Sequence, residues 1–311
     1  MANITFLWNG KSSTTAESST DYSKGVTTGY FNAKSYKESW SGTNLQYEPN
    51  GSSNPYPISG TLDSWSWINK DGTYDFRVTN ANFVLPNGAT YNNIITGLIA
   101  GKDNWYGDQT NNFFWFSGGG DTFHGGGGID TLDALVAKKN WITSSTKIQK
   151  DILGQINITN FGTSSLILDS VERVKFSDVT MAFDLDGNTG KVVEIIGALF
   201  GKSFATNKEY VGIGLYMLDN GVDPLIAVDL AIEAALGKNF KNSDLINLVY
   251  KNITGVLPSP LDSQVFEGML NNGFVTPREL TWAAADSALN KINVNLVGLA
   301  STGVDYIPFN S

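Results

Sequence analysis

The chain has 311 residues, which suits two or three domains, since single hydrophobic cores rarely grow beyond about 250–300 residues. Its formal net charge of −9 gives no basic footprint, which argues against binding to nucleic acid or to an anionic membrane surface. It contains no cysteine, which excludes disulfides, thiol catalysis and thiolate-bound metals.

Residues 1–106 are predicted to form a β-rich domain. The clearest unit is LDSWSWINKDGTYDFRV, residues 62–78, in which apolar residues alternate on both sides of an Asn-Lys-Asp-Gly turn. This pattern is typical of a β-hairpin. Trp65 and Trp67 share one side of the first strand, so they belong either to a core face, which is the commoner role, or to a sugar-binding platform.

Residues 107–133 form a glycine-rich tract. Its last nine residues, GGGGIDTLD (125–133), match the nonapeptide of calcium β-rolls at every position. Gly126 and Gly128 would allow the tight turn, Asp130 would supply a carboxylate, and Leu132 would point into the interior.

The two preceding nine-residue segments keep the same register with a weaker match. Residues 116–124 lose the first two glycines, and residues 107–115 carry asparagine in place of aspartate. The positions that remain in register are Gly119, Asp121 and Phe123, then Gly107, Asn112 and Phe114. The tract therefore predicts a short parallel β-roll, the alternative being a glycine-rich loop that binds nothing.

In a β-roll, an ion lies between loops on the same edge, which are two repeats apart. The loop at 107–112 should therefore pair with the loop at 125–130, whereas the loop at 117–121 lacks a partner unless flanking residues supply one. We therefore expect at most one or two weak Ca²⁺ sites. The expected ligands are Asp108, Asn112, Gly119, Asp121, Gly126, Gly128 and Asp130.

Residues 134–186 return to a β pattern and are expected to form a cap, and helical periodicity dominates residues 187–311. Asp223 before Pro224 indicates one helix start, and the capping box from Thr276 to Glu279 indicates another. The predicted helices are 191–200, 208–218, 224–236, 243–253, 262–270 and 277–291. Short helices joined by short loops are typical of a compact bundle.

The glycine-rich repeats resemble those of RTX proteins, the repeats-in-toxin class that bacteria export by type I secretion. Residues 168–178 are similar to the segment that caps RTX tracts, and residues 247–253 and 274–280 are similar to a helical domain often appended to such proteins. The resemblance implies bound Ca²⁺, an uncleaved C-terminal export signal and an extracellular location. The first ten residues show no cleavable signal pattern, which agrees with that route.

Motifs for catalysis are missing from the sequence. His124 is the only histidine, expected in an exposed loop, and haem ligation is the alternative role for it. Residues 184–194 match an EF-hand loop poorly, because glycine and glutamate each fall one position out of place, so a helix-capping turn is favoured. We therefore expect no enzyme, with a secreted hydrolase that uses two carboxylates as the remaining alternative.

The expected fold is modular α+β: an N-terminal β-rich domain, a short parallel β-roll, a β cap and a C-terminal α-helical bundle. The expected function is that of a non-enzymatic, extracellular, calcium-binding component of a surface layer, biofilm matrix or adhesive structure. Its partners would be further copies of itself in an oligomer or filament, cell-surface polysaccharide, and the type I secretion machinery. A carbohydrate- or haem-binding module is the main alternative. No transmembrane segment is expected, because no run approaches about 18 apolar residues.

Overall fold

The computed structural model describes residues 3–6, 28–32, 36–46, 56–69, 74–98, 101–116, 120–134, 137–161 and 164–309. Strands lie mainly in the N-terminal half and helices mainly in the C-terminal half, which confirms the prediction of mixed α and β structure. The chain divides into two compact units, which we call unit 1 (Met1–Leu135 and Lys139–Val171) and unit 2 (Val136–Lys138 and Glu172–Ser311). None of the described helices has the length and apolar character needed to cross a membrane.

Unit 1 begins with an antiparallel sheet. Its strands are β1 Asn3–Phe6, β2 Thr28–Asn32, β3 Tyr36–Gln46, β4 Ser59–Asn69 and β5 Tyr74–Leu85. β4 and β5 form the predicted hairpin, with Trp65 opposite Val78. Both side chains are buried, and the Trp65 ring stacks on Trp40 with 4.8 Å between ring centroids. The hairpin therefore supplies part of the core of this sheet.

A helix, α1 (Tyr91–Leu98), follows β5 in a region for which the sequence predicted only strands. Thr90 and Asn93 cap its start reciprocally: the Asn93 N–H donates to Thr90 Oγ1 at 3.3 Å, and the Thr90 N–H donates to Asn93 Oδ1 at 3.1 Å. Ile94 on this helix is fully buried. The Thr-x-x-Asn spacing is the local signal for this helix in the sequence.

Four three-residue strands follow at intervals of nine residues: β6 Asn104–Tyr106, β7 Phe113–Trp115, β8 Thr122–His124 and β9 Thr131–Asp133. β6 and β8 pair in parallel, and so do β7 and β9, so each strand pairs with the one eighteen residues away. The strands therefore alternate between two parallel ladders. β1 extends the first ladder, because it pairs in parallel with β6.

The first ladder continues on its other side into β10 Lys147–Lys150, β11 Ile156–Phe161 and β12 Ser164–Asp169. β12 pairs in parallel with β8, which places Leu168 beside Phe123, and β10 and β11 form a hairpin. The described strands of this sheet run in the order β10-β11-β12-β8-β6-β1-β5-β4-β3-β2. One ladder of the glycine tract is thus in the middle of a continuous sheet.

Unit 2 combines three short antiparallel strands with a group of helices. The strands are β13 Arg173–Lys175, β14 Thr180–Ala182 and β15 Val304–Tyr306. The helices are α2 Asn188–Phe200, α3 Lys208–Asp219, α4 Pro224–Leu236, α5 Asn242–Thr254, α6 Pro260–Asn271, α7 Pro277–Ala285, α8 Ala288–Asn293 and α9 Leu296–Leu299. The predicted helices are confirmed, but the one predicted over 277–291 is two. Ser287 caps a second start, since its Oγ accepts from the Asn290 N–H at 3.2 Å.

Unit 2 contains a buried ion-pair group. The Arg173 side chain is 2% exposed and donates hydrogen bonds to both Asp219 oxygens, at 3.0 and 3.1 Å, and to Asp184. Burial acts to lower the pKa of Arg173, but the charges of Asp184 and Asp219 outweigh it and hold that pKa above its usual value. Asp184 also accepts from the Asn188 N–H at 3.0 Å, so the EF-hand-like segment 184–194 begins with a turn that caps α2.

Candidate metal centre

Apolar side chains from the four short strands fill the space between the two ladders. Trp105, Phe114, Phe123 and Leu132 occur at nine-residue intervals, and none is more than 2% exposed. The Trp105 and Phe123 rings stack within the first ladder at 5.8 Å, and Phe114 of the second ladder lies 5.6 Å from Phe123. Because burying each such side chain contributes on the order of 2 kcal/mol, this interior fixes the strands from which the loops extend.

A second nine-residue series is polar and also buried. Asp103, Asn112, Asp121 and Asp130 precede the four strands and are at most 4% exposed. The Asp121 carboxylate accepts a hydrogen bond from the Asp103 N–H at 3.0 Å, and the Asp130 carboxylate accepts one from the Asn112 N–H at 2.6 Å, each across eighteen residues. A buried carboxylate destabilises the folded state unless it is hydrogen-bonded. These two hydrogen bonds therefore hold each loop at a fixed distance from the loop two repeats away.

Five of the predicted ligands come together on one edge of the ladders, which we call the first edge. Here the loop at 107–112 lies beside the loop at 125–130, as predicted. The Gly127 N–H donates to the Asp108 carbonyl at 2.7 Å, and the Ile129 N–H donates to Asn111 Oδ1 at 2.8 Å. The expected ligands in these two loops are Asp108, Asn112, Gly126, Gly128 and Asp130.

Oxygen atoms crowd the glycines of the first edge. A Cβ atom on Gly107 would overlap Asn112 Oδ1 and the Gly125 carbonyl oxygen. A Cβ atom on Gly125 would overlap the Ser170 carbonyl oxygen and Asp130 Oδ2. Carbonyl, amide and carboxylate oxygens therefore lie around two neighbouring glycines, and these are the oxygen types that Ca²⁺ accepts as ligands.

Asp108 adds a negative charge to the first edge. Its Oδ1 accepts hydrogen bonds from the Thr110 N–H at 2.8 Å, the Thr110 hydroxyl at 2.7 Å and the Asn112 amide at 3.2 Å. Burial acts to raise the pKa of Asp108, but these hydrogen bonds together outweigh it and hold that pKa below its usual value. The carboxylate therefore stays ionised at neutral pH.

On the opposite edge, Asp121 has a partner loop that the sequence prediction placed outside the roll. Gly101, Asp103 and Trp105 continue the nine-residue register one repeat further back. Gly101 has φ +101°, the same value as Gly128, a conformation that favours glycine. Flanking residues thus supply the missing loop. The boundary drawn at residue 106 hid this repeat, although its glycine, aspartate and apolar residue are all in phase.

The first edge combines two carboxylates with backbone and amide oxygens. Among the described residues, no group of three or more His, Asp or Glu side chains lies close enough together to hold a metal ion. A cation at the first edge would therefore depend on backbone and amide oxygens, with Asp108 and Asp130 supplying charge. With so few carboxylates, such a site would be weak, in the range of calcium sites whose Kd values are roughly 10⁻⁴–10⁻³ M. Gly119, another expected ligand, lies outside the described residues.

Three residues were considered for sugar or haem binding, and the structure describes the side-chain surroundings of two of them. Trp65 is 1% exposed, which favours its core role over a sugar-binding role. The Trp67 side chain lies outside the described residues. His124 ends β8 rather than lying in a loop, stacks on Tyr106 at 4.7 Å, and places its Nδ1 2.7 Å from Asp169 Oδ2.

Comparisons with protein-family models, with curated proteins and with solved structures gave no significant match.

Proposed function

We propose that the two ladders and their loops form a short calcium β-roll in a non-enzymatic extracellular structural protein of a surface layer, biofilm matrix or adhesive structure. The observation that carries this proposal is that two nine-residue series stay in phase, one of buried apolar residues and one of buried polar residues, while tightly packed glycines recur eighteen residues apart at Gly107 and Gly125. A glycine-rich loop with no structural role would have no reason to keep these features in register. The resemblance of residues 125–133 to the RTX nonapeptide supports the same conclusion.

Calcium at the first edge would connect the loop at 107–112 to the loop at 125–130. An ion that binds the folded state alone would raise the free energy of unfolding by RT ln(1 + [Ca²⁺]/Kd). Low Ca²⁺ inside a cell would leave this region less stable, and millimolar Ca²⁺ outside would complete its folding. That behaviour suits a chain exported before it folds, and the type I route itself is supported by the RTX resemblance.

Calcium-dependent melting tests the proposal. With Kd near 10⁻⁴–10⁻³ M, about 10 mM Ca²⁺ should stabilise the chain by about 1.4–2.7 kcal/mol and raise Tm by at least ~3 °C over EGTA. Asp130→Asn should keep the hydrogen bond from Asn112 and lose most of the calcium response. Asp63→Asn, in β4 of the same unit, changes the net charge equally and should keep that response. A wild-type Tm that is the same in Ca²⁺ and EGTA would contradict the proposed calcium binding.

Self-assembly is the second part of the proposal and needs its own measurement. Electron microscopy of the full chain with Ca²⁺ and with EGTA should show filaments or sheets in Ca²⁺ if the protein is a structural component that assembles with itself. Monodisperse particles in both conditions would instead favour attachment to another surface component, such as cell-surface polysaccharide.

A further inference from the structure

Helices α5, α6 and α7 of unit 2, with the start of α8, surround an apolar pocket of about 180 Å³. Its floor belongs to the core, because Leu245, Ile246 and Thr281 are at most 4% exposed. Leu289 on its wall is 52% exposed, so the pocket can be entered from solvent. The pocket is therefore a concave site that reaches the core, unlike a flat apolar surface.

The hydroxyl groups around the pocket have no proton left for a ligand. Thr254, Thr281 and Ser287 each donate to a backbone carbonyl three or four residues earlier, at 2.6–2.8 Å. The Tyr250 hydroxyl donates to Asp262 Oδ2 at 3.3 Å. A hydroxyl carries one proton, so each of these groups is already used within the protein. A ligand that needs hydrogen bonds from these side chains would not receive them here.

The wall of the pocket is also uncharged. None of the described residues that line it is acidic or basic. The charge of Asp262 raises the pKa of Tyr250, so this phenol stays neutral at pH 7. Asp262 itself does not line the pocket, and its Oδ2 also accepts from Ser259 Oγ at 2.8 Å. An ionised ligand would lose its hydration in this pocket and find no charged partner on the wall, so an uncharged ligand is favoured.

The volume of the pocket limits the size of the ligand to about one ring. An apolar cavity of roughly 150 Å³ takes up benzene, and the pocket in unit 2 has a similar volume. A ligand of that size would gain dispersion contacts with the wall, which contribute to binding without any hydrogen bond. A protein partner, in contrast, normally covers about 800 Å² on each side, which is far more than the wall of this pocket offers.

We propose that this pocket binds a small, uncharged, apolar molecule that contains one ring or a hydrocarbon group of equal size. The ligand contacts aliphatic and aromatic side chains of three helices, among them Val249, Phe266 and Leu280. Every residue of the wall lies in unit 2, whereas the expected calcium ligands lie in unit 1. Binding is therefore independent of Ca²⁺ and of the function proposed for the β-roll.

Fluorine NMR with para-fluorotoluene as the probe tests the proposal on the full chain. Binding should be saturable in Ca²⁺ and in EGTA alike. Ala284 lines the pocket, so Ala284→Leu should partly fill it and weaken binding at least about tenfold. Ala283→Leu is the matched control, because Ala283 is exposed on the same helix, and it should bind within about twofold of wild type. The anion para-fluorobenzoate should bind at least about tenfold more weakly than para-fluorotoluene.

Intermolecular nuclear Overhauser effects locate the probe without a variant, so they decide the matter even if Ala284→Leu does not fold. They should connect the probe with methyl groups of Ile246 and Leu280, and not with Leu230 of α4, which lines another apolar groove of unit 2. Contacts at Leu230, the absence of saturable binding, or equal binding by wild type and a folded Ala284→Leu would overturn the proposal. So would self-association of wild type that Ala284→Leu abolishes, because the pocket would then hold a side chain of a second copy.

Discussion

In unit 1, Asp121 and Asp130 are buried and each accepts a hydrogen bond from a backbone N–H eighteen residues earlier, whereas unit 2 buries one guanidinium between carboxylates 11 and 46 residues away. The first arrangement recurs with the repeat and depends on backbone donors. The second is made once, from specific side chains. Damage to one repeat should therefore remain local and moderate, while loss of Arg173 should destabilise all of unit 2.

The largest effect is expected for Arg173→Met. It leaves Asp184 and Asp219 without their buried cation, and breaking such a pair costs about 3–5 kcal/mol. The matched control is Arg278→Met, because Arg278 pairs with Asp229 at 3.1 Å on an exposed surface, where a pair is worth about 0–1 kcal/mol. Urea unfolding followed by helical circular dichroism measures both. Equal losses in the two variants would contradict the contrast between buried and exposed pairs.

A smaller effect is expected within the repeats. A Cβ at Gly125 would overlap the Ser170 backbone oxygen, so Gly125→Ala should cost about 1–3 kcal/mol and weaken the calcium response. Gly127→Ala is the matched neighbour, because its Cβ would meet the movable end of Gln109 at 2.7 Å, and it should stay within about 0.5 kcal/mol of wild type. Thermal unfolding in Ca²⁺ and in EGTA compares them. If both alanines behave alike, the crowding of oxygens at Gly125 is not what requires glycine.

The smallest effect concerns pH and unit 2. Burial raises the pKa of Glu194 on α2 to about 7, while Lys291, 3.8 Å away, acts to lower it and Asp286 acts to raise it. Since this pKa exceeds that of the unfolded chain, the folded state is favoured below about pH 4 and loses about 1–2 kcal/mol as pH rises through 7. Glu194→Gln should remove this loss. Urea unfolding at pH 5 and pH 8 measures the slope, and an unchanged slope in the variant would assign the pH dependence to other groups.

Features that depend on local sequence were predictable. The nine-residue register places Phe114, Phe123 and Leu132 in the interior, and all three are buried there. Helix starts were predictable for the same reason, because Asp223 and the Thr276 capping box act on N–H groups within three residues. The repeat around Asp103 has the same signal, but the boundary placed at residue 106 left it outside the predicted tract.

Features that depend on distant contacts were not predictable. No spacing rule connects Arg173 with Asp184 and Asp219, so the ion-pair group has no signature in the sequence. The exposure of Ile152 and Leu153, in the turn between β10 and β11, was equally hidden, because aliphatic residues beside strands are usually read as core. In both cases the outcome depends on whether the side chain is buried. A single sequence indicates burial only where residues of one type recur at a fixed interval.

The pairing of each short strand with the one eighteen residues away limits how this region can change length. Inserting or deleting nine residues would place the following loop on the opposite edge and the following strand in the other ladder. The loop at 125–130 would then no longer lie beside the loop at 107–112. A change of eighteen residues would return the chain to the same edge and leave the junction between β8 and β12 intact. Homologues that differ in this tract should therefore differ by multiples of two repeats.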